Sequence, residues 1–247
     1  MALIDDIRRF WDDDAATYDD APEHRPRSPM VQAAWTAALE SVLPAPPARV
    51  LDCGAGTGFL SLIAARLGHR VTALDLSTGM LGRLAARASA EGLEVETVTA
   101  SATDPPRPDG GYDAVLERHL LWTLPDPAAA LRSWRAVAGT GARLVLVESL
   151  WGDVDPPERL RGGARRALNR WRRLPPEHHA EYDPALRSAL PLGAGTHPAR
   201  LAEMVAGAGW ATPRLHRLAD VEWAERCELP LPERMLGVPP RFVVVAR

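Results

Sequence analysis

The segment Val50-Leu-Asp-Cys-Gly-Ala-Gly-Thr-Gly-Phe59, followed by Val71-Thr-Ala-Leu-Asp75, predicts a buried strand, a glycine turn, a helix and a second strand that ends in a carboxylate. Gly54, Gly56 and Gly58 lack a Cβ, so the backbone of the turn can approach a ligand closely and adopt positive φ angles. Asp75 stands at the strand end, where its carboxylate would hold the two hydroxyls of a ribose. The pattern therefore predicts the nucleotide-binding edge of a sheet.

The spacing of these glycines distinguishes two classes of cofactor. A dinucleotide-binding turn reads G-x-G-x-x-G, and its third glycine would fall at position 59, which is Phe59. The D-x-G-x-G-x-G that begins at Asp52 is instead similar to motif I of the class I S-adenosylmethionine (SAM)-dependent methyltransferases, in particular the small-molecule, UbiE-like group. The resemblance implies SAM as cofactor, with Asp52 and the three glycines beside its methionine part.

The segment Asp75-Leu-Ser-Thr-Gly-Met80 extends this resemblance. In the family the acid bonds both ribose hydroxyls, and the residues at the positions of Leu76 and Met80 flank the adenine. A simpler interpretation makes Asp75 the N-cap of the next helix, although Ser77 or Thr78 can supply that cap.

Ala100-Ser-Ala-Thr-Asp104 resembles the family's Gly-Asp-Ala turn, which implies that Ser101 and Ala102 contribute to the adenine pocket. Ser101 replaces the usual aspartate. The adenine amino group would therefore meet a hydroxyl, or Asp104 would have to reach it.

The segment Glu117-Arg-His-Leu-Leu-Trp122 is similar to the family's segment after the fourth strand. By position, the backbone carbonyl of Arg118 would accept from the methionine ammonium. His119 beside it is a candidate base, because histidine titrates near neutral pH, or a packing residue. Trp122 would face the sulfonium and the acceptor, or belong to the core.

Four more residues complete the candidate site. The N-terminal W-x(3)-A-x-x-Y-D, Trp11 to Asp19, is similar to a signature of small-molecule members. The resemblance implies that Tyr18 lies over the carboxylate end of SAM and that Trp11 is near the substrate, whereas the alternative is a surface helix. Glu148 and Trp151 follow the fifth strand, so Glu148 is a second candidate base, or the buried partner of an arginine, and Trp151 is a candidate substrate contact.

Composition excludes several mechanisms. All 29 basic residues are arginine, so Schiff-base chemistry and the lysine of P-loop enzymes are excluded. A net charge of -3 argues against a general polyanion binder. Two cysteines form no disulfide framework, and the start of the chain does not have the pattern of a signal peptide. We therefore expect a cytoplasmic protein with no membrane span.

Alternating strands and helices predict a single α/β domain over residues 1–247. We expect a Rossmann-like, mostly parallel seven-stranded sheet with helices on both faces, the last strand entering antiparallel, an N-terminal helical lid at 1–45 and a helical cap insertion at 151–197 after strand 5. The predicted strands are 49–53, 70–75, 93–99, 112–118, 143–148, 212–221 and 241–246. The predicted helices are 3–18, 28–43, 57–67, 78–91, 128–137 and 198–208.

The predicted cap contains a helix near 159–173 with arginines at 159, 161, 165, 166, 170, 172 and 173. Such a run is typical of a solvated helix face, and the alternative is a surface that recognises an acidic or phosphorylated substrate. Glu177-His-His-Ala-Glu181 lacks the i, i+4 histidines of a zinc helix. We therefore predict no metal.

The sequence favours a SAM-dependent methyltransferase that acts on an N, O or C atom of a small molecule, for which a secondary metabolite is expected. The predicted partner is this small-molecule acceptor, with no nucleic acid and no membrane, and the chain is expected to be a monomer or homodimer. Three alternatives remain open: a SAM-using cyclase on the same fold, a nicotinamide-dependent oxidoreductase, and a non-catalytic binding protein.

Overall fold

The computed structural model describes residues 2–151, 156–172 and 182–247. A seven-stranded sheet forms its centre, in the order β3-β2-β1-β4-β5-β7-β6. The strands β1 to β5 are mutually parallel, and β7 runs antiparallel to both β5 and β6. The strands are β1 Arg49–Cys53, β2 Arg70–Asp75, β3 Val95–Thr99, β4 Tyr112–Arg118, β5 Ala138–Ser149, β6 Arg214–Arg217 and β7 Arg241–Ala246. The predicted fold class, including the antiparallel last strand, is confirmed.

Helices cover both faces of the sheet. One buried core joins α5 and α8 to alternate residues of β4, β5 and β7, and a second joins α2, α3 and α9 to the opposite face. The helices are α1 Ala2–Asp14, α2 Pro29–Val42, α3 Phe59–Arg66, α4 Thr78–Ala90, α5 Pro127–Val137, α6 Pro156–Trp171, α7 Pro184–Ser188, α8 Pro198–Gly207, α9 Ala219–Glu228 and α10 Leu231–Leu236. None of the described helices is long and apolar enough to cross a bilayer.

The strand predicted over 212–221 is wrong in its second half. The strand covers only Arg214–Arg217, and α9 begins at Ala219. Val221 and Ala224 are the buried positions of this helix, three residues apart, which is helical and not strand spacing. They bury against the same core as Trp35 of α2. The predicted helix 3–18 is also too long, because α1 ends at Asp14 and a 3-10 turn occupies Tyr18–Asp20.

The described parts of the predicted cap at 151–197 include two helices, α6 and α7. Two arginines, one in α6 and one directly after it, are held by contacts within the protein. Arg165 pairs with Glu158 and donates to the Leu236 carbonyl at 3.1 Å, and Arg172 pairs with Glu233 of α10 at 2.5 Å. These two guanidinium groups therefore attach α6 to α10. Arg173, His178 and His179 lie outside the described residues.

The chain order places a crossover between β1 and β4, since β2 and β3 lie on one side of β1 and β4 lies on the other. Ligands of open parallel sheets bind beyond the carboxyl ends of the strands at such a reversal. Cys53, Asp75 and Arg118 are the last residues of β1, β2 and β4. The fold thus brings the predicted cofactor segments to one edge.

Candidate active site

The glycine turn connects β1 to α3, and its three glycines have φ angles of 67° at Gly54, 54° at Gly56 and 91° at Gly58. A Cβ on Gly58 would lie 2.6 Å from Cγ of Leu84, so this glycine lets α3 approach α4. A Cβ on Gly56 would meet nothing within 4 Å. The backbone of Gly56 therefore borders open space, as a ligand that contacts the turn requires.

Asp75 is joined to the glycine turn by hydrogen bonds. The backbone N–H of Gly56 donates to Oδ2 of Asp75 at 2.8 Å, and the backbone N–H of Ser77 donates to Oδ1 at 2.8 Å. Burial raises the pKa of this carboxyl, and the backbone donors oppose that shift. Each oxygen has more than one lone pair, so the carboxylate can still accept from a diol.

Ser77, and not Asp75, caps the following helix. The hydroxyl of Ser77 accepts from the N–H of Met80 at 3.1 Å at the N-terminus of α4. The alternative interpretation of Asp75 as the N-cap of α4 is therefore wrong, and its carboxylate is available at the carboxyl end of β2.

Asp52, the first residue of the D-x-G-x-G-x-G motif, supports the glycine turn from within β1. Asp52 is buried, and its carboxylate accepts from the Ser61 hydroxyl at 2.6 Å, which ties β1 to α3. Burial raises the pKa of Asp52 to about 7, with the Ser61 hydrogen bonds opposing the shift.

The residues predicted to form the adenine pocket are at least half-buried where they are apolar. Leu76 is half-buried and Met80 is 2% exposed. The Ala102 carbonyl accepts from the indole of Trp134 at 2.7 Å.

Ser101 and Asp104 are the two alternatives for the adenine amino group. The Ser101 hydroxyl is hydrogen bonded to that of Thr103 at 2.9 Å, and the Asp104 side chain is exposed. Ser101 occupies the chain position of the family's aspartate. Its contact with the adenine stays a prediction.

The N-terminal segment is hydrogen bonded to the cofactor edge at two points. Asp12 of α1 accepts from the Ser77 hydroxyl at 2.6 Å and from the Gly79 N–H at 3.2 Å. Asp19 accepts from the Thr57 hydroxyl of the glycine turn at 2.6 Å. Sequence reasoning missed both aspartates, because their partners lie far away in the chain.

In the chain, Tyr18 lies between Asp12 and Asp19, the two aspartates that bond to the cofactor edge. Its ring stacks on that of His24 with centroids 3.7 Å apart. Burial raises the pKa of the Tyr18 hydroxyl to about 12, with Arg118 opposing the shift and Asp14 and Asp75 adding to it. Tyr18 is thus close enough to Asp75 to sense its charge, and the hydroxyl stays protonated at neutral pH.

We expect Asp12→Ala to loosen α1 without unfolding the sheet. Loss of two hydrogen bonds to the start of α4 should speed amide exchange in residues 2–14 by about 30-fold, since each such bond contributes about 1 kcal/mol. Hydrogen exchange read by mass spectrometry measures this. Asp13→Ala removes an exposed neighbour and should leave the rate unchanged. Equal exchange in the two variants would show that Asp12 does not hold α1.

The three predicted tryptophans belong to one aromatic cluster, formed by Phe10, Trp11, Trp122, Trp151 and Tyr182. The ring centroids of Trp122 and Trp151 are 5.4 Å apart, and Tyr182 lies 5.2 Å from Trp122, 6.3 Å from Trp11 and 4.5 Å from Phe10. Tyr182 was not predicted. The only signal for it was that the chain has just three tyrosines.

Glu117 and Glu148 are both fully buried at the carboxyl ends of β4 and β5. Glu117 accepts from the Leu120 N–H at 2.9 Å, and burial raises its pKa to about 8. Burial and the charge of Glu117 raise the pKa of Glu148 well above its ordinary value. Among the described residues neither oxygen of Glu148 has a side-chain hydrogen-bond partner, and the Ser149 backbone N–H opposes the rise in its pKa. The two buried carboxyls therefore disfavour being ionised together.

The raised pKa of Glu117 predicts a pH-dependent stability. The folded protein holds a proton that the unfolded chain releases near pH 4, so stability falls as pH rises from about 4 to about 8. Glu117→Gln keeps an acceptor for the Leu120 N–H and should remove part of that loss. Urea unfolding at pH 5 and pH 8 should show a larger gain at pH 8.

The exposed Glu94→Gln is the control for this comparison. A gain from Glu117→Gln that is equal at the two pH values would mean that Glu117 is ionised in the folded protein.

Arg118 is the last residue of β4, and His119 follows it directly. The guanidinium of Arg118 lies 4.1 Å from the ring centroid of Phe59 and donates to the Glu23 carbonyl at 2.9 Å. His119 has a φ of 57°, a strained angle that for a non-glycine residue often marks a functional site. Its Nε2 lies 3.0 Å from Oγ of Ser149. Burial, Arg118 and Arg241 lower the pKa of His119 well below its ordinary value.

A groove of about 750 Å³ lies elsewhere, along the amino ends of the strands, where Arg49, Arg70 and Tyr112 line it. It contains none of the predicted site residues. The described residues hold no group of three or more His, Cys, Asp or Glu side chains arranged for a metal ion.

Comparison with known proteins agrees with this geometry. The family described as "Methyltransferase domain" matches residues 51–146. A demethylmenaquinone methyltransferase of Mycolicibacterium paratuberculosis is 33% identical over 191 residues, covering 74% of this chain and 77% of that protein. A ubiquinone biosynthesis O-methyltransferase of Xanthomonas axonopodis pv. citri is 36% identical over 100 residues, which span 40% of this chain and 42% of that relative.

Among solved structures, the geranyl diphosphate C-methyltransferase of Streptomyces coelicolor A3(2) superposes with a TM-score of 0.62 at 15% identity, covering 100% of this chain and 98% of that one. At this identity the likeness concerns the fold. The segment of this chain that matches the family, residues 51–146, includes the glycine turn, β2, β4 and most of β5.

Proposed function

Because this chain belongs to the class I SAM-dependent methyltransferases, we propose that it binds SAM at the glycine turn and transfers a methyl group to an N, O or C atom of a small molecule. The observation that carries the proposal is Asp75: its carboxylate is fixed by the Gly56 and Ser77 N–H groups at the end of β2. The open space beside Gly56 supports the same assignment.

The residues proposed to hold SAM are distributed along one edge of the sheet. Asp75 would accept from the ribose hydroxyls, and the glycine turn would border the methionine part. Leu76, Met80, Ser101 and Ala102 would form the adenine pocket, the carbonyl of Arg118 would accept from the methionine ammonium, and Tyr18 would cover the carboxylate end. Asp52 would support the turn through its bond to Ser61.

SAM supplies an activated methyl on a sulfonium. The chain would then contribute mainly by holding the acceptor in line with that methyl and by excluding water, because orientation alone can lower a barrier by several kcal/mol. The hydrogen bonds of Asp12 and Asp19 to the cofactor edge support a covering role for the N-terminal segment. The lid at 1–45 and the cap at 151–197 are parts of this proposal.

Two groups are proposed to contact the acceptor or to take its proton. His119 is neutral, so its ring has one lone pair and one N–H, and either of them can face the acceptor. Burial raises the pKa of Glu148 and so favours its protonated form; it would act as a base only after ionising, which a cationic amine acceptor nearby would favour.

The acceptor is proposed to lie against Trp11, Trp122 and Trp151. The rings of Trp122 and Trp151 are 5.4 Å apart, and the ring of Tyr182 contacts those of Trp11 and Trp122. Such faces suit a flat or apolar molecule and stabilise a cation. A secondary metabolite fits this description. A cytoplasmic location and a monomeric or homodimeric state stay predictions.

The test is product analysis with SAM and a panel of phenols, amines and isoprenoid compounds, read by mass spectrometry. We expect an acceptor heavier by one methyl group together with S-adenosylhomocysteine. Methylthioadenosine in place of S-adenosylhomocysteine would contradict methyl transfer and favour the cyclase alternative. Failure to bind SAM at all would favour a non-catalytic protein.

A further inference from the structure

A chain of hydrogen-bonded polar side chains starts at the half-buried His119, passes through the buried Ser149 and Arg241, and ends on α9. Nε2 of His119 lies 3.0 Å from Oγ of Ser149, and the Nη1 of Arg241 donates to the same oxygen at 2.8 Å. The Nε of Arg241 donates to Glu225 at 2.6 Å, and Glu225 accepts from the indole of Trp35 at 3.3 Å. Neither Ser149 nor Arg241 was predicted as part of the site.

The direction of the hydrogen bond between Ser149 and His119 follows from the chemistry of Arg241. A guanidinium only donates, so the Ser149 oxygen accepts from Arg241 and still carries one proton to place. The only other side-chain partner of this hydroxyl among the described residues is Nε2 of His119. If Nε2 were protonated, it would donate to Ser149 and leave a buried O–H without an acceptor, which is costly.

We infer that Ser149 and Arg241 fix His119 as the tautomer that is protonated at Nδ1. In this form Nε2 accepts from Ser149, and Nδ1–H is a donor. No hydrogen bond within the described part of the chain engages Nδ1, and the side chain is only half-buried. Ser149 and Arg241 are therefore positioning residues for His119.

The functional part of the inference rests on the proposed methyl transfer. In that reaction the Nδ1-protonated tautomer changes the role of His119. The ring has one lone pair, and Ser149 occupies it, so His119 cannot accept a proton directly from the acceptor. It instead offers Nδ1–H to a lone pair of a bound molecule, such as a hydroxyl, carbonyl or carboxylate oxygen. The inference favours a ligand with an oxygen acceptor at this position.

The backbone of His119 is held close to Ser149. The N–H of His119 donates to the Val147 carbonyl at 3.2 Å, and φ is 57°. These features keep the residue beside the end of β5, where Ser149 is the last residue. Arg241 is 3% exposed and lies 3.6 Å from Glu23 as well as contacting Glu225. Glu23 and Glu225 thus hold the Arg241 guanidinium, which donates to Ser149, in place.

Nitrogen-15 NMR of the histidine rings in the full chain, without SAM, tests the tautomer directly. The His119 signals are identified by their loss in His119→Asn. We expect Nδ1 to resonate as a protonated ring nitrogen and Nε2 as an unprotonated one at pH 7.5. Ser149→Ala should release the ring into a mixture of tautomers, and Ser149→Thr, which keeps the hydroxyl, should restore the single form.

Three results would overturn the inference: a protonated Nε2 in the unaltered protein, an unchanged tautomer in Ser149→Ala, or a mixture in Ser149→Thr with the remaining spectrum intact. None depends on SAM or on turnover. If the protein fails to bind SAM while the NMR result is as expected, the tautomer assignment stands and the proposed function fails.

Discussion

Asp75→Ala should weaken SAM binding by about 100-fold while the protein stays folded. A hydrogen bond to a charged group contributes about 1.5 to 3 kcal/mol, and the proposed site has the carboxylate accept from both ribose hydroxyls. A loss of roughly 3 kcal/mol corresponds to about two powers of ten in Kd. Calorimetric titration with SAM measures the change.

Two variants separate ribose binding from loss of structure. Asp75→Asn keeps an oxygen that can accept from Gly56 or Ser77, so it should bind SAM more tightly than the alanine variant. Asp113→Ala removes an aspartate that also accepts a backbone N–H, from Arg49 at 2.8 Å, but at the amino end of β4. It should bind SAM normally. An Asp75→Ala protein with unchanged affinity would contradict the ribose assignment.

Arg241→Met should destabilise the protein by about 3–5 kcal/mol, because removing one partner of a buried ion pair leaves the other charge uncompensated. Arg241 is 3% exposed, and its Nε donates to Glu225 at 2.6 Å while its Nη1 donates to Ser149 at 2.8 Å. Both bonds join β7 to neighbouring elements. Urea unfolding measures the loss.

The exposed Arg226 lies on α9 next to Glu225, and Arg226→Met is the matched control, with an expected change below about 0.5 kcal/mol. Adding Glu225→Gln to Arg241→Met should recover part of the loss, because the uncompensated charge is removed. An Arg241→Met protein as stable as the control would mean that the pair with Glu225 contributes nothing.

The strands that carry the cofactor edge could be predicted from sequence because buried parallel strands are continuous apolar runs. Val50 to Cys53 and Val71 to Asp75 are close to this pattern, with Asp52 and Thr72 as the polar residues inside them, and the second strand ends at Asp75. The spacing of the glycines then indicates the conformation of the turn after the first of these strands, because a turn is formed by residues that are close together in the chain. For this reason Asp75 and the turn lie where the sequence predicted.

Contacts between distant segments could not be predicted in the same way. Ser149 and Arg241 are 92 residues apart, and neither belongs to a short motif. Asp12 and Ser77 are 65 residues apart, so the attachment of α1 to α4 depends on tertiary packing. The helix α9 was missed because its apolar positions, Val221 and Ala224, continue directly from a short edge strand.

The position of the cofactor is the central claim, and a crystal structure with S-adenosylhomocysteine tests it most directly. We predict both ribose hydroxyls within hydrogen-bond distance of Asp75, the homocysteine part beside Gly54 to Gly58, and the sulfur facing the aromatic cluster. Nucleoside density at another edge of the sheet, or contacts to the ribose that do not include Asp75, would contradict the account.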